Sequence, residues 1–358
     1  MSQPIKIGIV GAGIFGALHL KAFSQLQRDG KCELVGFVAR REEQRKEREA
    51  EFGVPGFASL EELVEKKRPD GITVVTPDHT HREFVLQAAE HGLHVLSEKP
   101  LDVTAEGCQE IIDACAKANT FLQVDFHKRY DPDHMAAYRA VREGKIGDVL
   151  YGNAHMEDRI EVPSEWFPNW AASSSPAWFL GVHFYDLVRW IIGSEPKRVL
   201  ASGSKKRLKN DFNIDAFDCI NAKIDFENGA AISFDTSWII PKSFEAIVNQ
   251  GLRLVGTLGM FEIDSQDRGT MSCLEGDGMR TYNNNFVRES VAKDGQTSYG
   301  GYGIDSILDF VYNIEHVREH GLANRPHGVW ADGFDGLQAT RMALAAHQSI
   351  SEDCVVIL

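Results

Sequence analysis

Two short stretches of this chain carry residue types suited to redox chemistry at a carbon–oxygen bond. Gly11-Ala12-Gly13-Ile14-Phe15-Gly16 has the spacing of a dinucleotide-binding turn. Gly11 permits a tight turn, Gly13 lets backbone approach a pyrophosphate, and Gly16 lets the following helix pack close to the strand. The helix N-terminus then faces the phosphates. The second stretch, His94-Val95-Leu96-Ser97-Glu98-Lys99-Pro100, sets a lysine at the end of a later strand of the same sheet, where the nicotinamide end of such a ligand arrives. Together they point to hydride transfer.

Positioning these groups requires a doubly wound sheet, and the chain reads that way. Ile5 to Val10 is an apolar run ending at the glycine turn, and Ile14 to Arg28 continues with helical spacing until Gly30. Glu33 to Ala39 predicts a second strand, and Arg41 to Phe52 a charged surface helix. Ser59 to Glu62 and Thr80 to Glu83 match the capping-box pattern, each opening a helix. Gly71 to Val75 and His94 to Leu96 are buried-type strands between them. Continuous apolar strands alternating with helices indicate a parallel sheet covered on both faces. The expectation is α/β: a doubly wound parallel sheet over residues 1–124, then an α+β domain with a mainly antiparallel sheet over 125–358. Strands expected in the second part are Tyr151 to Met156, Val199 to Ser202, Cys219 to Phe226, Ala230 to Ser237 and Leu252 to Val255. Helices at Ile304 to His320 and Asp332 to Ile350 close it.

The end of the second strand bears on which dinucleotide is taken. An acidic side chain there would bond the ribose 2′-hydroxyl and repel a 2′-phosphate. This chain has Ala39-Arg40-Arg41 instead, and two guanidiniums suit a phosphate. NADP is therefore favoured, with NAD as the alternative.

With 358 residues the chain is long enough for two cores, and its formal net charge of −14 argues against nucleic acid or an anionic membrane surface as partner. A small-molecule ligand fits better. No window approaches the roughly 20 apolar residues of a spanning helix, and Met1-Ser2-Gln3-Pro4 leads into a strand without a signal-like apolar region. A cytoplasmic location is expected. The six cysteines include no CxxC pair, which argues against a zinc knuckle or a redox dithiol. Cys108 and Cys115 share a helix face and read as structural. His79, His81, His91 and His94 lack a convincing fourth ligand, so no metal is expected. Lys205-Lys206-Arg207 reads as a solvated loop.

The glycine turn, Thr76-Pro77-Asp78 with His81, Glu98-Lys99-Pro100, Arg129-Tyr130-Asp131-Pro132 and Gly181-Val182-His183-Phe184-Tyr185-Asp186 occur here in one order. In that order they resemble the Gfo/Idh/MocA oxidoreductases, the glucose-fructose oxidoreductase and inositol dehydrogenase group, over essentially the whole chain. The resemblance implies NAD(P)-dependent oxidation or reduction of one carbinol of a sugar, cyclitol or sugar derivative. It also implies an N-terminal Rossmann domain, a C-terminal domain with an open, largely antiparallel sheet, and a homodimer or homotetramer formed through that sheet. Lys99 corresponds to the family's catalytic lysine and His183 to its catalytic histidine; Thr76, Pro77 and His81 correspond to residues beside the cofactor. Two positions depart from the pattern. The aspartate that many members carry four residues before the histidine is Phe179 here, and the common asparagine after Thr-Pro is Asp78.

On this reading Lys99 donates a hydrogen bond to the substrate oxygen and stabilises developing alkoxide, while His183 takes the proton as general base. Glu98 orients the lysine or contacts the cofactor. Trp166, Trp178 and Phe179 lie in an unusually aromatic connection suited either to stacking on a sugar ring or to ordinary packing. Arg129, with Lys128, offers either a substrate contact or a domain-joining salt bridge. Two other classes stay open: a non-catalytic nucleotide sensor, and a hydrolase or lyase that uses bound NAD for transient oxidation.

Overall fold

The computed structural model describes residues 3–293 and 295–358. Met1, Ser2 and Asp294 lie outside the described residues, and with them the start of the expected lead-in to the first strand. The chain forms two compact units, residues 1–130 with 286–337, and residues 131–285 with 338–358. It therefore passes between units three times rather than once near residue 124.

The first unit begins β1 (Ile5–Val10), α1 (Ile14–Arg28), β2 (Cys32–Val38), α2 (Glu42–Phe52), β3 (Gly56–Phe57) and α3 (Leu60–Lys67). It continues with β4 (Gly71–Val74), α4 (His81–Glu90), β5 (His94–Ser97), α5 (Ala105–Ala118) and β6 (Leu122–Val124). The strands form a six-stranded parallel sheet in the order β3-β2-β1-β4-β5-β6. This is the Rossmann order. The direction of winding reverses between β1 and β4, and the crevice at the carboxyl ends there is where such sheets bind ligands. The capping box at Ser59 forms: its hydroxyl accepts from Glu62 N at 3.2 Å, and the Glu62 carboxylate accepts from Ala58 N at 3.0 Å. The one expected at Thr80 does not. A single 3₁₀ turn at Asp78–Thr80 precedes α4, and the Thr80 hydroxyl lies within bonding distance of the Pro77 carbonyl, 2.7 Å away, and of the Thr76 hydroxyl, 2.8 Å away.

Residues 286–337 complete this unit. The helix Tyr302–His320 places Ile304, Ile307, Phe310, Val311 and Ile314 in one buried cluster with Ile5, Ile7, Leu20 and Phe23. The hairpin Arg288–Val291/Thr297–Gly300 docks on α1, where Gln25 Oε1 accepts from Tyr299 N at 2.6 Å and Gln25 Nε2 donates to the Tyr299 carbonyl at 3.1 Å. The helical period of this segment is legible in the sequence, but the face it covers is set by tertiary packing.

In the second unit β7 (Val149–Arg159), β8 (Pro196–Ser204), β9 (Cys219–Phe226), β10 (Ala231–Ile240), β11 (Val248–Gly256) and β12 (Met260–Asp264) join the terminal strand Val356–Ile357. Their order is β12-β11-β7-β10-β9-β8, then the terminal strand. All neighbours are antiparallel except β7 and β10, whose parallel pairing makes the sheet mixed. Alternation of buried and more exposed residues along β9 marks one covered face. The helices Pro132–Arg142 and Val182–Ile192 meet through Tyr138 and Trp190, whose rings stack at 3.9 Å. No helix among the described residues is long and apolar enough to cross a membrane.

Candidate active site

The glycine turn has the geometry a pyrophosphate requires. Gly11 has φ +103°, and a Cβ there would collide with the Val75 carbonyl. A Cβ on Gly16 would strike the Gly11 carbonyl, which is how closely α1 packs on the turn. Around Gly13, by contrast, a Cβ would meet nothing. Gly13 is also the N-cap of α1, with no side-chain cap and no acidic residue in the first turn. The uncapped N–H groups and the open space before them suit an anion. Ile14 is 63% and Phe15 38% exposed, a placement that leaves apolar surface facing the same opening.

Two α2 residues absent from the sequence-based expectations steady this turn: Gln44 Nε2 and Arg48 Nε donate to the Ala12 carbonyl at 2.9 and 3.3 Å. Arg45 Nη1 donates to the Ala39 carbonyl at 2.6 Å and to the Arg40 carbonyl at 2.9 Å. The end of β2 thus gathers Arg40, Arg41 and Arg45, with both Arg40 and Arg41 exposed.

Thr76 and Pro77 follow β4, and Glu98 and Lys99 follow β5, so both pairs stand at the carboxyl end of the sheet. Lys99 is half-buried, and the Lys99–Pro100 peptide is cis. His81, expected beside the cofactor, is buried between the loops after β4 and β5. Its Nδ1 lies 2.7 Å from the Pro100 carbonyl and its Nε2 2.8 Å from the Thr76 carbonyl. A neutral imidazole donates to one of these two carbonyls, which lie on the two loops after β4 and β5. Arg129 is likewise engaged within the first unit: buried, it pairs with Asp335 at 3.1 Å and donates to the Trp330 carbonyl at 3.3 Å. This is the salt-bridge alternative of its two expected roles, made within the first unit.

Behind Lys99 lies a buried polar cluster that the sequence reading did not single out. Glu98 Oε1 is 3.3 Å from His19 Nε2 on α1, and Asp125 Oδ2 is 3.9 Å from the same nitrogen. Asp125 follows β6, and its N–H donates to the Ser97 carbonyl at 2.8 Å, which sets it abreast of Glu98. Burial raises the Asp125 carboxyl well above its ordinary range, and Glu98 adds to the shift. Burial pushes Glu98 up too, but the His19 hydrogen bond and the charges of His19 and Lys99 outweigh it and leave it low. His127, stacked on Tyr302 at 5.7 Å, is driven down to about 3 by burial and the Lys128 ammonium. The available signal was positional: Asp125 ends β6 as Glu98 ends β5, at the edge of the sheet where ligands gather.

In the second unit His183 lies in the first turn of the helix Val182–Ile192 and is buried. Phe179 belongs to an aromatic cluster, with its ring 5.1 Å from Trp170, 6.2 Å from Phe167 and 6.3 Å from Trp238. Trp178, one of the expected sugar-stacking residues, is buried against the His347 ring at 5.6 Å, so packing accounts for it. Trp166 remains exposed. His94 Nδ1 accepts from Phe121 N at 2.9 Å, a contact that ties β5 to the start of β6.

Residues 5–126 match an oxidoreductase family described by its NAD-binding Rossmann fold, and residues 134–262 match the GFO/IDH/MocA C-terminal domain. Among curated relatives, the scyllo-inositol 2-dehydrogenase (NAD(+)) of Bacillus subtilis (strain 168) is 27% identical over 72% of this chain and 75% of its own. The inositol 2-dehydrogenase of Rhizobium meliloti (strain 1021) is 24% identical over 97% of each chain. A crystal structure of scyllo-inositol dehydrogenase from Lactobacillus casei with bound NAD(H) and scyllo-inositol superposes with a TM-score of 0.78. It has 21% identity and covers 99% of both chains. With both family domains matched in order along one chain, the protein belongs to the Gfo/Idh/MocA oxidoreductases.

Proposed function

We propose that the protein is an NAD(P)-dependent dehydrogenase that acts on a CH–OH carbon of a cyclitol or closely related sugar. The observation that carries this reading is the shared placement of the uncapped glycine turn and Lys99 at the carboxyl ends of one parallel sheet. The relatives named above act on inositols, and the substrate class is taken from them.

The turn at Gly11, Gly13, Ile14, Phe15 and Gly16 would hold the pyrophosphate, and Thr76, Pro77 and Glu98 would line the nicotinamide end. When bound, the nicotinamide supplies or accepts the hydride. Lys99 holds the substrate oxygen by a charged hydrogen bond and stabilises negative charge as it develops. His183 receives the hydroxyl proton in oxidation and returns it in reduction. Phe179 has no carboxylate to assist His183, so in this chain the histidine receives that proton without a neighbouring aspartate at that position. Relatives whose names carry a cofactor carry NAD, and none supports a preference for NADP. Arg40 and Arg41 are this chain's own argument for admitting the 2′-phosphate.

The test is nicotinamide absorbance with NAD⁺ or NADP⁺ and scyllo-inositol, myo-inositol and sugar substrates in turn, repeated with Lys99→Ala. Turnover that Lys99→Ala abolishes, with nucleotide binding retained, is expected. Wild-type turnover in that variant overturns the role of Lys99, and nucleotide binding without any turnover favours a sensor. We also read the open face of the second unit's sheet as a homodimer or homotetramer interface, since Tyr151 and Leu200 are about half exposed on it. Light scattering of the purified protein checks this.

A further inference from the structure

Lys99 must remain an ammonium to do its work, and the groups around it decide how well it does so. His19 reaches the cluster from α1, Glu98 and Lys99 from the loop after β5, and Asp125 from the end of β6. His127, Lys128 and Tyr130 come from the following turn, and Ser306 and Asp309 from the helix Tyr302–His320. Asp309 is occupied elsewhere: its Oδ2 accepts from the Tyr130 hydroxyl at 2.6 Å and from Asn313 Nδ2 at 3.1 Å. His127 is held neutral by burial and by Lys128. Glu98 and Asp125 both feel the charge of Lys99, and both are buried beside the same His19 nitrogen.

Two buried carboxyl groups at one imidazole nitrogen do not both ionise at neutral pH, because each charge raises the cost of the other. The group with the hydrogen bond from His19 and the adjoining ammonium ionises first, and that group is Glu98. Burial and the Glu98 charge then favour the protonated form of Asp125.

We propose that Asp125 is a positioning residue for Lys99: it holds a proton in the resting site and, on losing it, supplies the second negative charge that keeps Lys99 an ammonium. The proposal rests on the catalytic role given to Lys99 above. Burial of Asp125 and its proximity to Glu98 place its proton loss well above the usual carboxylate range, in the direction the proposal needs. The donor atoms of His19, Glu98 and Asp125 lie within 4.8 Å of one another, a spacing that would also admit a metal ion. Lys99 and Lys128 already bring positive charge to this cluster, and a divalent cation would add to it.

The coupling is reciprocal, so it can be read from either partner. Infrared spectroscopy of the purified protein, with aspartate carbon-13 labelling to assign the band, should show a protonated aspartic acid at pH 7 that is absent in Asp125→Asn. In Lys99→Met that band should persist to a pH higher by about one unit or more, since a neighbouring cation is gone. With scyllo-inositol as substrate, the alkaline limb of kcat/KM should move to lower pH by a similar amount in Asp125→Asn.

No protonated aspartate at neutral pH, a midpoint unmoved by Lys99→Met, or stoichiometric metal in the purified protein would each overturn the proposal. Should Asp125→Asn fail to fold, the labelled wild type and Lys99→Met still decide it. If Lys99→Ala keeps its turnover, the catalytic reading of Lys99 fails while the infrared result still reports on Asp125. A dead Lys99→Ala enzyme with an unmoved alkaline limb in Asp125→Asn removes the Asp125 role alone.

Discussion

Gly16 lies so close to Gly11 that the smallest possible side chain on it would enter the Gly11 carbonyl. The turn and the first turn of α1 are therefore one rigid piece, whose remaining freedom faces outward at Gly13. Gly16→Ala should destabilise the protein by on the order of 2–4 kcal/mol, because backbone has to move. Gly13→Ala meets no atom and should leave the melting temperature nearly unchanged while weakening nucleotide binding about tenfold or more. Thermal unfolding and nucleotide titration of both variants check the contrast.

Cofactor choice should turn on the end of β2. Arg40→Asp replaces a cation with a carboxylate beside Arg41 and Arg45, so NADPH affinity should fall by about tenfold or more while NADH affinity changes little. Fluorescence titration with both nucleotides measures this, and equal losses would remove the phosphate role from Arg40.

The Arg129–Asp335 pair is buried on the arginine side and bridges residues far apart in sequence. Asp335→Asn leaves the guanidinium without its carboxylate and should cost about 3–5 kcal/mol. Urea unfolding should show that loss, and Arg129→Met combined with Asp335→Asn should be less destabilised than the two single losses summed. A substrate-binding arginine would show its effect in KM instead.

Acid should destabilise the first unit through His127. In the unfolded chain a histidine takes a proton near pH 6.5, whereas the folded His127 does so only at about 3. Between those values the unfolded state binds more protons, so this contribution is present above about pH 6.5 and is lost as pH falls. His127→Phe keeps a ring beside Phe286 and Tyr302 and removes the titration. Relative to wild type it should gain about 2–3 kcal/mol on going from pH 7 to pH 4.5, read from denaturant midpoints at each pH.

The sheet of the first unit was legible because its strands are short apolar runs whose ends carry glycine, and because α1 declares itself by period. Lys99 and the glycine turn were legible for the same reason: each sits at a strand end that local pattern reveals. The contacts of His81 with the Pro100 and Thr76 carbonyls and of Arg129 with Asp335 were not legible, since a residue's type announces polarity but not which carbonyl or carboxylate it will meet. His19 and Asp125 escaped because they approach Glu98 through the sheet, from opposite ends of the unit's first segment. The parallel pairing of β7 with β10 escaped as well, because alternation along a strand marks its covered face and carries no sign of direction.

The participation of residues 286–337 in the first unit bears on how the protein is made. Ile304, Ile307 and Phe310 fill the same apolar cluster as Ile5, Ile7 and Phe23. A ribosome that has delivered the entire glycine turn and all six strands of the parallel sheet has still not delivered the helix that seals them. The apolar flank of α1 must wait through synthesis of residues 131–285 before its cover exists. The second unit waits as well, since residues 338–358 and the terminal strand that joins its sheet are delivered last of all.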